Sequence, residues 1–518
     1  MKIQVVNPLT EEALYELDEM GAQEIHDVFS RAHNIQKRIG ALTIKERIRE
    51  VVKVSKYLIT NYKSITERLV SETGKTKFEA LSNEIFEICD NIDYYRDHAE
   101  KILKPQKVHT PLVLMGKNSK IQFEPMGVVL IIAPWNYPLI QCFLPSILAF
   151  LAGNAVVYKP SEITPLKGLY EEILNGSGFM NDAIQIVYGG KETGAALIEQ
   201  KPDKIHFTGS TRAGKQIMAA AAKYLIPVDL ELGGKDPAIV FEDVNIEKTA
   251  NGLVWAAFTN AGQSCTSIER CYVHESIFDE MTEKIVSITK KLRLANHECE
   301  DCEADVGCMT AEFQLKKVEE QLKEAKEKGA QIHCGGSTIK GTRIMPPTVV
   351  TNVTNDMELI REETFGPVLP LIKFSSEEEV IRMANDSEYG LSASVWSKDL
   401  KRAERVASAL KVGNVAINNH MLTEANPALP FGGVKNSGFG RYKGDFGLHT
   451  FSNVKSIISG PNNKVIEPHW YPFTKMKFDT FPKLMEAFFS RPRKWIRFAL
   501  VGMKLDSMGN KEKINLKE

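Results

Sequence analysis

The chain has 518 residues, enough for about two to four domains with sizeable cores. Hydrophobic residues make up 43% and charged residues 25%, as in an ordinary soluble globular protein, and a formal net charge of −1 gives nucleic acid no electrostatic reason to bind. Eight cysteines over this length do not make a disulfide framework, which points to a reducing, cytoplasmic compartment.

The opening Met1-Lys2-Ile3-Gln4-Val5-Val6-Asn7-Pro8 carries no apolar signal-peptide core. Residues up to about 105 read as mostly helical. Thr43-Ile44-Lys45-Glu46 has capping-box spacing, and Ile44, Ile48, Val51, Val52, Leu58 and Ile59 then fall on one helical face. These apolar residues read as core, without chemistry of their own. From 107 to 125 short alternating segments such as Lys120-Ile121-Gln122-Phe123-Glu124 suggest exposed strands, paired as a hairpin.

The uncharged stretch 125–158 could be mistaken for a membrane span. Pro134, Pro138 and Pro145 break it, and Asn136, Gln141 and Asn154 add polar groups that lipid could not satisfy. Two buried strands around a short buried helix fit it better. Strand-like segments at 127–133, 154–158, 183–188 and 204–208 alternate with helical intervals, the pattern of a parallel, doubly wound sheet. Asp236-Pro237-Ala238-Ile239-Val240 closes that run. After Cys265 a second α/β alternation begins, with strands near 348–350, 367–374, 391–396 and 412–418 and helices at 311–328 and 377–385. There is no internal repeat and no low-complexity linker.

Several motifs fall at the ends of these elements, each with a plainer reading beside it. Gly262-Gln263-Ser264-Cys265-Thr266 places a thiol among small residues at a break between helix and strand, open to a substrate; a buried structural cysteine is the alternative. Pro134-Trp135-Asn136-Tyr137-Pro138 follows a buried strand, where its amide could donate to an oxyanion or merely form a turn. In Tyr158-Lys159-Pro160-Ser161-Glu162, Lys and Glu could hold ribose hydroxyls or form a surface ion pair. Phe207-Thr208-Gly209-Ser210-Thr211-Arg212-Ala213-Gly214 runs from a strand through a small-residue turn to a helix N-terminus, a place for pyrophosphate, although it departs from GxGxxG at Thr211. Leu230-Glu231-Leu232-Gly233-Gly234-Lys235 embeds a carboxylate in apolar sequence, as a general base would be, or sets it beside a tight turn. Glu362-Glu363-Thr364-Phe365-Gly366-Pro367 and the glycine-rich 430–440 complete the set.

Taken in order from about Ile35 to Ile458, these segments resemble the NAD(P)-dependent aldehyde dehydrogenase superfamily. The resemblance implies a Rossmann-like NAD-binding domain (1–106 and 127–232), an α/β catalytic domain (233–445) and a small β oligomerisation arm (107–126 and 446–460). It implies that Cys265 attacks the aldehyde, that Asn136 with the Cys265 N–H holds the oxyanion, and that Glu231 activates the water that hydrolyses the thioester. Trp135, Lys159, Glu162, Gly209, Ser210, Gly214, Leu232, Gly233, Glu363 and Phe365 would hold the cofactor. Glu162 favours NAD, because a carboxylate there repels the 2′-phosphate of NADP, although dual use is compatible with the motif. A homodimer or homotetramer is expected. An acylating relative that passes the thioester to coenzyme A, and a catalytically dead binding protein, are the rival readings; the presence of Glu231 counts against the first, and that of Cys265, Glu231 and Asn136 together against the second.

Two features lie outside the pattern. His297-Glu298-Cys299-Glu300-Asp301-Cys302, with Cys308 and Cys334, invites a zinc reading, but the matching segment in the family is an exposed acidic loop, so no metal is expected. The tail 461–518 interleaves basic residues with aromatic and aliphatic ones and holds no span of about 18 apolar residues. It suits an anionic membrane surface or the partner subunit, and its resemblance to tails on family members that handle lipophilic aldehydes implies an apolar or long-chain aldehyde.

Overall fold

The computed structural model describes residues 2–295, 304–462 and 467–511, which separate into two compact units. The first unit, 1–104 with 123–454, holds two sheets. The first sheet runs in the order Gly438–Phe439, Val228–Glu231, Lys204–Thr208, Val128–Ile132, Ala155–Lys159, Ile184–Ile186, all parallel except the Gly438–Phe439 edge. Its two central strands are buried at every position (Val-Val-Leu-Ile-Ile and Ala-Val-Val-Tyr-Lys), which is why they read as unbroken apolar runs rather than alternating ones. The helix Ile140–Leu151 between them is almost wholly buried, as the uncharged stretch required. Asn154 satisfies its surroundings by accepting from the Met126 and Gly127 N–H groups at 2.7 and 2.9 Å and donating to the Ala149 and Phe451 carbonyls.

The second sheet has seven strands in the order Gln331–Cys334, Thr348–Thr351, Val368–Phe374, Ile268–His274, Asp236–Val240, Ser392–Trp396, Asn414–Ile417, parallel except for the first pair. The strand Asp236–Val240 therefore belongs to the centre of this sheet and does not close the first one. Only Leu232, Gly233, Gly234 and Lys235 separate it from Glu231, so the chain crosses between sheets within one tight turn.

The N-terminal region is helical as expected, with the Thr43–Glu46 capping box formed, but it opens with an antiparallel hairpin, Lys2–Val6 and Ala13–Asp18, that the helical reading passed over. The amphipathic face also shifts: Val51, Val54 and Leu58 are buried, whereas Ile59 is 61% exposed. Ile59 lies one residue beyond the buried Leu58 and so turns about 100° away from the core.

The second unit comprises 105–122 and 455–518. It carries most of a three-stranded antiparallel arrangement of Gln106–Val108, Asn118–Pro125 and Ser452–Ser459, and then two helices, Lys475–Phe489 and Trp495–Lys511. Among the described residues no helix is long and apolar enough to cross a membrane.

Candidate active site

Three neighbouring parallel strands of the first sheet, Lys204–Thr208, Val128–Ile132 and Ala155–Lys159, end on the same edge. That edge therefore gathers Gly209 and Ser210, Trp135 and Asn136, and Lys159 and Glu162, which lie far apart in sequence. Carboxyl ends of parallel strands are where such sheets receive ligands.

The thiol loop is built under strain. After the helix Ile246–Phe258, Asn260, Ala261 and Gly262 adopt φ of 52°, 54° and 69° in succession. For the two residues with a Cβ this conformation is costly and persists only where its surroundings hold it. Glu79 supplies that hold, accepting from the Asn260 N–H at 2.5 Å and the Thr259 hydroxyl at 3.1 Å. Gly262 admits no side chain, since a Cβ would stand 2.2 Å from the Gly366 carbonyl oxygen. Gln263 is buried and fixed at both ends of its amide, donating to the Asn260 carbonyl and accepting from the Thr310 N–H, each at 2.9 Å.

Cys265 follows and keeps part of its surface open. Burial, reinforced by Glu424, Asp236, Glu363 and Glu231, pushes its thiol well above the usual range, so it rests protonated at neutral pH. Thr266 beyond it donates its hydroxyl to Glu424 at 2.7 Å and accepts at its carbonyl from His420 Nε2, also at 2.7 Å. Burial lowers the His420 pKa to about 4, so the ring is neutral and its Nε2 carries the proton that makes this bond.

Asn136 reaches the same loop. Its amide donates to the Gln263 carbonyl at 2.9 Å, and an amide has two N–H bonds, so one remains to donate elsewhere. Its own carbonyl accepts from Lys75 at 2.8 Å and from the Asn260 amide at 3.2 Å. Lys75 is itself buried in an ion pair with Glu84, whose other oxygen accepts from the Leu139 N–H at 2.7 Å. The turn 134–138 is thus held from the N-terminal helices.

Glu231 ends its strand 4% exposed, with neither carboxylate oxygen hydrogen-bonded among the described residues. Burial first, then the like charge of Asp229, raises its pKa well above the carboxylate range, and Arg441 opposes them. A buried carboxyl kept neutral and unbonded is unusual, because unsatisfied buried polar groups cost about 1–3 kcal/mol. Gly234, three residues on, lies so close to the thiol loop that a Cβ there would be 2.4 Å from the Cys265 carbonyl oxygen.

The remaining positions are those that the sequence reading expects at a dinucleotide. Ser210 caps the helix Thr211–Ala222 by accepting from the Ala213 N–H at 3.3 Å, and Gly214 packs that helix against Leu232. The first turn of the helix points its N–H groups outward from the sheet edge. Lys159 is buried with Glu162 3.7 Å away, and burial lowers its pKa while Glu162 opposes the shift. Glu363 accepts from the Gly234 N–H at 3.1 Å and crowds Gly233, and burial followed by Glu269 raises it to about 7. Phe365, at φ 51°, meets Trp135 edge-on at 5.4 Å.

The motif reading passed over what holds this surface. Lys235 and Glu269 form a buried ion pair at 2.5 Å; Lys235 also donates to Thr364, and Glu269 accepts from the Thr364 and Phe365 N–H groups. A lone carboxylate in the buried strand Ile268–His274 was the available signal for Glu269. For Glu79 it was a second capping box, Thr76 to Glu79. Nothing local marked Glu424 or His420. The Cys299/Cys302 segment lies outside the described residues; Cys308 is buried against Gly74, and among the described residues no cluster of His, Cys, Asp or Glu could hold a metal ion.

The profile described as the aldehyde dehydrogenase family matches residues 1–457. The chain is 38% identical to a 4,4'-diapolycopene aldehyde oxidase of Methylomonas sp, over 86% of this chain and 83% of that one. It is 40% identical to a peroxisomal aminoaldehyde dehydrogenase of Pisum sativum, over 74% and 77% of the two chains. A betaine aldehyde dehydrogenase from Staphylococcus aureus, solved in complex with NAD+, superposes with a TM-score of 0.85 at 31% identity, covering 91% of this chain and 96% of its own. With the profile spanning most of its length and the two sheets arranged as in these structures, the chain belongs to the aldehyde dehydrogenase family of enzymes.

Proposed function

We propose that this enzyme oxidises an apolar or long-chain aldehyde to its carboxylic acid with NAD, NADP being a possible substitute. The observation that carries the chemistry is Glu231, a buried carboxyl without hydrogen-bond partners among the described residues, next to a thiol loop tied to the Asn136 amide. Cys265, part of whose surface is open, gives up its proton to solvent and its sulfur adds to the aldehyde carbon, forming a thiohemiacetal whose oxyanion accepts from Asn136 and the Cys265 N–H. NAD, when bound, supplies the hydride acceptor. Loss of the hydride leaves a thioester on Cys265. Glu231 then takes a proton from water, which adds to the thioester and releases the acid and the thiol. Splitting the reaction at a covalent thioester makes each half easier, and holding the oxyanion is usually the largest single contribution.

The residues present fit the cofactor. Ser210 and the helix N-terminus at Thr211 receive the pyrophosphate, with Gly209 and Gly214 keeping the backbone close; Lys159 and Glu162 take the adenosine ribose. Glu363, Phe365, Trp135, Leu232 and Gly233 surround the nicotinamide end. Residues 1–106 with 127–232 act as the NAD-binding domain and 233–445 as the catalytic domain. The strands in 107–126 and 446–460 serve oligomerisation as a homodimer or homotetramer, and the tail from 461 contacts a membrane surface or the partner subunit of a cytoplasmic enzyme.

A second substrate class has one observation in its favour. Glu424 and Glu87 both retain accessible surface near the thiol loop. Burial raises both, Glu87 to about 7, with Lys443 opposing in each case. A cationic aldehyde would draw these carboxyls into their charged form, whereas an apolar one leaves them neutral. NADH absorbance followed over a panel of alkyl and amino aldehydes, with and without coenzyme A, decides among these readings. Turnover is expected without coenzyme A, strongest for long alkyl chains, and absent in Cys265→Ala. Activity that persists in Cys265→Ala would exclude the mechanism, and preference for amino aldehydes would select the second class.

A further inference from the structure

From residue 461 onward Lys and Arg outnumber Asp and Glu twelve to six, although the chain as a whole has a net charge of −1. The positive charge is therefore concentrated in the tail. Its two helices settle against each other through few residues: Ala487, Leu505 and Met508 are buried, and Phe488 meets Phe498 at 5.0 Å. Much of the rest of their apolar surface is left open. On the helix Lys475–Phe489, the residues Phe478, Phe481, Met485 and Phe489 recur every three or four positions and are 47–78% exposed. On Trp495–Lys511, Ile496, Leu500 and Met503 repeat the spacing at 59–80%. Such spacing places each set on one stripe of its helix. Trp470, Tyr471 and Phe473 ahead of the first helix are also exposed.

We infer that these stripes lie in the headgroup region of a bilayer containing anionic lipid. The basic side chains stand beside the apolar ones rather than apart from them. Arg491, Arg493, Lys494 and Arg497 cluster at the junction of the helices, with the Arg493 guanidinium 4.9 Å from the Phe488 ring and 5.3 Å from that of Trp495. Lys475, Lys483 and Lys504 continue the positive charge along the helices. Amphipathic helices with Lys and Arg on the polar side and Trp, Phe and Leu on the other are built to lie in such an interface, and each basic residue near the surface adds attraction to anionic headgroups. Trp and Tyr favour the same boundary, where one end of the ring is wet. A protein interface is the less suitable occupant, because Lys is depleted there and the exposed apolar rows would have to be met by shape rather than by fluid chains. Neither helix is apolar enough to cross, so the attachment is reversible and peripheral. For the proposed reading of the active site, on which this consequence alone rests, the bilayer is where a long-chain aldehyde would be presented.

The test is co-sedimentation of the full-length enzyme with phosphatidylcholine vesicles and with vesicles that also contain phosphatidylglycerol. Two variants are compared: Phe478→Ser with Phe481→Ser, Ile496→Ser and Leu500→Ser; and Arg491→Gln with Arg493→Gln, Lys494→Gln and Arg497→Gln. Wild type is expected to pellet with the anionic vesicles, less so at high salt, and each variant to lose at least tenfold in partitioning. Turnover of a short, water-soluble aldehyde should stay unchanged in both, which shows that the fold is intact. Equal pelleting of wild type and variants, or none by wild type, overturns the inference. A fall in oligomeric mass in the apolar variant without vesicle binding by wild type overturns it in favour of a subunit interface. Loss of aldehyde turnover in every form with vesicle binding preserved would strike the catalytic reading and leave this one standing.

Discussion

Glu231 is asked to do two things that its position makes compatible. In the proposed reaction it lies beside the thiol as the sulfur adds to the aldehyde, and its ionised form takes a proton from water once the thioester is in place. Burial raises its pKa above the usual carboxylate range, so its basic form grows as the pH rises. Thioester hydrolysis should therefore quicken with rising pH. Glu231→Gln should slow it by roughly 10²–10⁴-fold while sparing a first burst of about one NADH per site. Rapid-quench measurement of that burst separates the two halves of the reaction, and a variant that lost the burst along with the steady rate would place Glu231 earlier. Glu87 offers a test by stability. Its folded pKa of about 7 lies above the unfolded carboxylate value of roughly 4.3. The stability it contributes is present below the unfolded value and is lost as the pH rises through about 7. Glu87→Gln removes that loss, so the melting temperature of the variant relative to wild type should be higher at pH 8 than at pH 5. The same difference at both values would mean that the carboxyl does not titrate in the folded protein.

At the scale of elements, the turn 362–366 shows how a strained loop is held. Phe365 sits at positive φ, and Glu363 is pressed against Gly233; neither would stay without the Lys235–Glu269 pair beneath them. Glu269 accepts from two backbone N–H groups of this turn and from Lys235 at once. Glu269→Ala leaves Lys235 buried without its counter-ion, which typically costs about 3–5 kcal/mol. Replacing both together, as Lys235→Met with Glu269→Leu, should cost less, because no charge is stranded. Denaturant melts of the single and double variants read this directly. NAD affinity should fall in both, since the turn proposed to face the nicotinamide end is freed. A double variant no more stable than Glu269→Ala would show that the N–H partners, rather than the charges, dominate.

For the molecule as a whole, the proposed cofactor lies against elements from both sheets, and the chain crosses between them in a single tight turn. A ligand that binds only the folded arrangement adds stability by mass action, about 2.7 kcal/mol at a hundred times its Kd. NAD should raise the melting temperature at lower concentration than NADP, because Glu162, 41% exposed at the ribose end, repels a 2′-phosphate. Glu162→Ser should narrow that gap. Equal shifts for the two cofactors in the wild type would remove Glu162 as a selector.

The sequence by itself determined the alternation of strands and helices, the apolar centre of the first sheet and the short motifs at strand ends. Their signals are local: a buried parallel strand must be apolar throughout, and a helix must start at a cap, so 204–208, 236–240 and 377–385 could be read to the residue. Which sheet a strand joins is not local, which is why Asp236–Val240 was placed at the end of the first alternation and lies at the centre of the second. The hairpin at 2–18 was passed over because a short, largely exposed pair carries little apolar pattern. Cys265, Asn136 and Glu231 were each visible as residue types in small-residue or apolar company. Glu79 and Glu269 left only faint local signals, a second capping box and a lone carboxylate in a buried strand, and Lys75 and Glu424 left none, since each works on a partner more than 30 residues away. Only the tertiary structure decided those, because what fixes the strained backbone at Asn260 and Ala261, ahead of Cys265, and at Phe365 is burial of distant charged groups against it, and burial is a property of the folded chain.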